Sequence, residues 1–82
     1  MLKDEIIRFW LAHRYLPKTA KRFPIFFIQL IDEVADTQKE AQVMRERYMK
    51  RKKFEAIAID MNVDVRYIFR LHRQVLDKLV SI

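Results

Sequence analysis

Cysteine is absent from this sequence, which excludes disulfides and thiolate metal sites and accords with a reducing cytosol. Glycine is absent as well, and proline occurs twice. A turn-rich sheet protein needs more of both, so the composition favours helices joined by short connections. Histidine is limited to His13 and His72, and no carboxylate stands at a ligand-like spacing from either. No metal or other cofactor is therefore expected. The serine and threonine hydroxyls, the candidate nucleophiles, are Thr19, Thr37 and Ser81, none beside a candidate base, so no catalytic residue is assigned and the chain does not read as an enzyme. The longest apolar run, IFFIQLI at 25–31, is interrupted by Gln29 and is too short to span a bilayer. Asp4 and Glu5 break the N-terminus, where a signal peptide would be apolar, so the expected location is cytoplasmic.

What is present is apolar and basic. Hydrophobic residues make up 51% of the 82 positions, which is incompatible with a disordered tail and suits one small domain over residues 1–82. The net charge of +6 favours an acidic partner: nucleic acid, an anionic membrane or an acidic protein.

The apolar spacing predicts an all-α domain of about five helices. Residues 4–16 form the first, with Ile6, Ile7, Trp10, Leu11 and Tyr15 as its buried stripe and Pro17 as its stop. The segment PKTAKRF is then a short basic connection. Pro24 suits the first turn of a second helix over 24–35, because its missing N–H is one that a helix start does not use. Thr37-Gln38-Lys39-Glu40 has the capping-box pattern, in which Thr37 and Glu40 satisfy each other's backbone amides. A third helix runs from there to about Met49, with Ala41, Met44 and Tyr48 on one side. Helices over 54–61 and 65–80 follow.

The last two helices carry the clearest signal. Phe54, Ile57, Ala58 and Met61 recur at helical spacing, Asn62-Val63-Asp64 interrupts them, and Val65, Ile68 and Leu71 begin a new pattern. This is the layout of a helix-turn-helix. The small Ala58 admits the second helix close to the first, and the apolar side chains fill the angle between them. Asn62 tolerates a positive φ where glycine is usual, and Asp64 is placed to cap the helix that follows.

Residues 37–79 resemble region 4 of bacterial sigma factors and the sigma-like phage regulators of the ArpU and RinA type. The residues that carry the resemblance are Thr37-Gln38-Lys39-Glu40, Arg47-Tyr48, Phe54-Glu55-Ala56-Ile57-Ala58, Asn62-Val63, the run from Val65 to Arg73, Leu76 and Leu79. Asp64 departs from the pattern, which often has serine there, and residues 1–36 lie outside it. The resemblance implies transcriptional control by major-groove binding, with the last helix as reader and a phage or mobile-element setting.

On the helix over 65–80, Ile68, Leu71, His72, Val75 and Leu79 share one face, while Arg66, Arg70, Arg73 and Asp77 share the opposite one. A recognition helix presents its N-terminal residues to base edges. The expected base contacts are therefore Arg66 and Arg70, with Tyr67 and Phe69 flanking them. Arg73 and the cluster Arg45, Arg47, Lys50, Arg51, Lys52 and Lys53 are expected to position the phosphate backbone. His72, beside the apolar face, is expected to be packed and hydrogen-bonded.

The expected partner is double-stranded DNA. The alternative is a small basic protein of phage type that modulates a host protein such as RNA polymerase or a nucleic-acid enzyme. Asp32, Glu33 and Asp36 count against docking on an anionic membrane. Ile6, Phe9, Trp10, Phe23, Phe26, Phe27 and Leu30 exceed what a small monomer easily buries, so they either complete a five-helix core or form a homodimer interface.

Overall fold

The computed structural model describes residues 2–81 as helices and short connections, with no strand among them. Residues 1 and 82, the ends of the expected domain, lie outside the described residues. No helix is long and apolar enough to cross a membrane among the described residues. The elements are α1 (Leu2–Trp10), a π-helical turn (Leu11–Tyr15), α2 (Leu16–Arg22), α3 (Pro24–Val34), α4 (Gln38–Tyr48), α5 (Phe54–Met61) and α6 (Val65–Val80). Trp10, Tyr15 and Leu16 all keep right-handed helical angles, so α1, the π-turn and α2 make one continuous rod and the domain has five rods.

The first rod corrects two expectations. Pro17 does not stop it, and PKTAKRF is not a connector, since the rod runs on to Arg22. A proline inside a regular helix lacks one N–H and its ring collides with the carbonyl one turn back. Here the turn before it widens, and the Leu16 N–H bonds the Leu11 carbonyl five residues back, which lets the chain pass Pro17 without breaking. The extra residue also rotates the buried seam. Leu11 hands over to Leu16, then to Thr19 and Ala20, all buried. Ile6 and Trp10, expected inside, are 66% and 50% exposed, while Ile7 and Tyr15 are half-buried against the core.

Pro24 opens α3 as expected, and its Phe27 and Ile31 point inward. At α4 the Thr37 hydroxyl accepts from the Glu40 amide at 3.2 Å. The reciprocal bond shifts by one residue: the Glu40 carboxylate accepts from the Asp36 amide at 3.0 Å, not from Thr37. Lys78 explains the placement. Its ammonium lies 2.6 Å from Glu40 and 2.8 Å from Asp36, so the end of α6 is tied to the start of α4.

Two apolar clusters result. Leu11, Leu16, Phe27, Ile31, Met44, Tyr48, Val75 and Leu76 join the first rod, α3, α4 and the second half of α6. Val43, Ile57, Ala58, Ile68 and Leu71 join α4, α5 and the first half of α6. Thus α6 belongs to both, its N-terminal half seated on α5 and its C-terminal half on the rest.

The turn between α5 and α6 follows from its residues. Asn62 is left-handed (φ 57°, ψ 48°), and the Val63 N–H returns to the Ala58 carbonyl at 3.0 Å. Asp64 then caps α6, its carboxylate accepting from the Arg66 amide at 2.8 Å. Asn62→Ala should cost about 1 kcal/mol, because a Cβ with no local hydrogen bond is disfavoured there, whereas Asn62→Gly should be tolerated. Urea denaturation of the two variants tests this, and equal losses would contradict it.

Candidate nucleic-acid interface

The face of α6 opposite Ile68 and Leu71 presents Arg66, Arg70 and Arg73, all exposed. Arg70 and Arg73 enter no ion pair among the described residues. Arg66 folds back on Asp64, Nε to Oδ1 3.2 Å, and that hydrogen bond holds the Asp64 carboxyl below its usual range. The pair is fully exposed, so separating it to reach another anion costs little. Phe69 is 47% exposed and packs at 5.0 Å on Phe54, while Tyr67 is half-buried with the Lys39 ammonium 5.9 Å from its ring centre.

The basic cluster ahead of α5 divides into two kinds of residue. Several of its members serve the fold. Arg47 donates to the Lys52 carbonyl at 3.0 Å and lies 4.3 Å over the Phe54 ring, which fixes the path of the connector. Lys52 bridges Glu46 and Asp60, each at 2.6 Å; the hydrogen bond it donates to Asp60, then the one it donates to Glu46, raises its pKa. Lys50 pairs with Glu46 at 2.9 Å, and Arg45 with Asp32 at 3.3 Å. Glu46 itself is held below its usual range by Lys52 and Lys50. By contrast, Arg51 and Lys53 are exposed and enter no ion pair among the described residues. Arg51 also has a left-handed backbone (φ 57°), as Asn62 does.

His72 is packed and hydrogen-bonded. Its Nε2 lies 2.7 Å from the Tyr48 hydroxyl, and its ring stacks on Tyr48 and meets Phe54 edge-on. Burial first, then the fields of Arg47 and His13, depress its pKa to about 4. Burial likewise pushes the Tyr48 phenol well above its ordinary value. At neutral pH the imidazole is therefore uncharged, and the tautomer sets which member of the Tyr48–His72 pair donates.

Sequence reasoning missed a cleft. Arg14, Lys18 and Lys21 from the first rod face Arg47, Tyr48 and Arg51 across a hollow of about 560 Å³. A second hollow of about 320 Å³, lined by Trp10, Tyr15, Arg22 and Phe23, shares Arg14 and Lys18 with the first. The spacing 14, 18, 21 is one helical face, but it is invisible once Pro17 is read as a helix end. The cleft is continuous with the α6 face, since Arg47 covers Phe54 and Phe54 packs on Phe69.

Comparison with models of known families, with curated proteins and with solved structures returns no match.

Proposed function

We propose that this protein is a sequence-specific DNA-binding transcriptional regulator of the sigma region 4-like kind, encoded by a phage or mobile element, with α6 as the reader in the major groove. The observation that supports the reading most directly is the α5–α6 unit. Its left-handed Asn62, capping Asp64 and buried Ala58, Ile68 and Leu71 hold α6 against α5, while Arg70 is exposed and has no carboxylate partner among the described residues. Arg66 and Arg70 read base edges in this account, with Tyr67 and Phe69 at the rim. Arg51, Lys53 and Arg73 are the phosphate contacts, because they carry uncompensated charge. Arg45, Arg47, Lys50 and Lys52 keep their ties to Asp32, the connector, Glu46 and Asp60.

Two copies on one operator give a lone helix-turn-helix the specificity it lacks by itself. Phe27 is fully buried in the core and is no part of such an interface; Ile25 and Phe26 on α3 remain exposed for it.

Reading and positioning are separable. Arg70→Ala should cost about 1–3 kcal/mol on the preferred duplex and much less on a scrambled one. Lys53→Ala should weaken both alike and lower the slope of log affinity against log salt by about one. Lys52 is the wrong position for this test, since its removal takes the partner from Asp60 and one of two cations from Glu46. A paired titration of both variants decides the matter, and equal losses on both duplexes for Arg70→Ala would remove α6 as the reader.

A further inference from the structure

The first rod carries a combination that duplex reading does not use. Trp10 and Phe23 are 50% and 62% exposed and line the same hollow with Tyr15, on which the indole stacks at 5.1 Å and 29°. Arg14 and Lys18 form the wall between that aromatic hollow and the basic cleft beyond it. Neither enters an ion pair among the described residues. Aromatic faces beside unpartnered cations match one ligand chemistry well: bases that offer a free π-face on a phosphate backbone. Bases within a duplex are already stacked on one another and cannot reach Trp10 or Phe23. A second copy of this chain is a poor occupant, because the same cations would meet and repel.

We propose that this face of the first rod is a second nucleic-acid site, one for an unpaired strand: Trp10 and Phe23 stack bases, and Arg14, Lys18 and Lys21 hold the backbone that runs on into the basic cleft. The residues that hold the strand here are none of those on α6, and the DNA reading can stand or fall without this site.

Trp10 is the sole tryptophan, so its fluorescence reports the site directly. The full chain is titrated with oligothymidylate of about eight nucleotides, a length within the range one single-strand module covers. Parallel titrations use a duplex of the same length and polyglutamate. Oligothymidylate should quench Trp10 at lower concentration than either. Phe23→Ala should weaken that binding about tenfold or more, as expected for loss of one stacked base. The double variant Arg14→Gln, Lys18→Gln should lower the single-strand salt slope by about 1.4. Arg70→Ala should leave the oligothymidylate affinity unchanged. All these side chains but Tyr15 are exposed, so circular dichroism should match the parent. Absence of quenching, equal quenching by polyglutamate, or a preference for the duplex would each overturn the proposal. Loss of oligothymidylate affinity in Arg70→Ala would also overturn it, by placing the strand on α6.

Discussion

Phe27→Ala should destabilise the domain by about 3–5 kcal/mol, the usual cost of emptying a buried phenylalanine site. Phe27 is fully buried where α3 meets the first rod and α4, with its ring 5.9 Å from that of Tyr48. Rods crossing at that point cannot collapse into the space without moving the buried Leu16, Ile31 and Met44. A domain of this size has a total stability of roughly 4–12 kcal/mol, so the loss is a large fraction of the whole. Urea denaturation followed by circular dichroism gives the size of the effect, and a loss under about 1 kcal/mol would show that Phe27 is not a core residue. Truncation of the exposed Phe26 is the control, with an expected change within about 0.5 kcal/mol.

Acid should weaken the fold through His72. The imidazole titrates at about 4 when folded against 6.5 for the free side chain, a difference corresponding to about 3 kcal/mol at most. The unfolded chain binds the extra proton first. The contribution is therefore fully present above pH 6.5 and is lost as pH falls from 6.5 towards 4. A protonated ring has no acceptor nitrogen left, so at this contact it can only donate to the Tyr48 oxygen. Glu46 and Asp64 have depressed values, so their own contributions are lost only as pH falls below their ordinary values of 4.5 and 3.8. Denaturation midpoints at pH 7 and pH 4.5 should differ markedly for the parent and much less for His72→Gln, which keeps an acceptor but does not titrate. Equal pH dependence in both proteins would assign the effect to another group.

The sequence carried the helix-turn-helix because its turn is decided locally. Asn62 sets the left-handed residue, Asp64 caps the next helix, and the period of Phe54, Ile57, Ala58, Ile68 and Leu71 marks what faces inward. Pro24 and Thr37 worked for the same reason, each being a local rule at a helix start. The first rod was illegible where a local rule was overridden. A π-turn of five residues carries the helix past Pro17, and the buried seam runs through Ile7, Leu11 and Leu16, leaving Ile6 and Trp10 exposed. The charges were misjudged for a different reason. Lys50 reaches Glu46 within one helical turn, but Lys52 meets both Glu46 and Asp60 only once the connector folds back between α4 and α5, so the sequence shows a run of cations where the structure has an ion-paired knot. Likewise Arg14 and Lys18 meet Arg47 and Arg51 only through packing of the first rod on α4. Among the cations expected to contact DNA, the lack of an ion pair with any described residue separates Arg51, Lys53, Arg70 and Arg73 from Arg45, Lys50, Lys52 and Arg66.

Selection of bound duplexes from a random pool, followed by salt titration on the winner, tests the central reading most directly. With Arg51, Lys53 and Arg73 each meeting a phosphate in two copies, log affinity should fall with log salt at a slope near −5. The enriched sequence should contain two half-sites about one helical turn apart. A pool that emerges unenriched, or binding that ignores salt, would contradict the account.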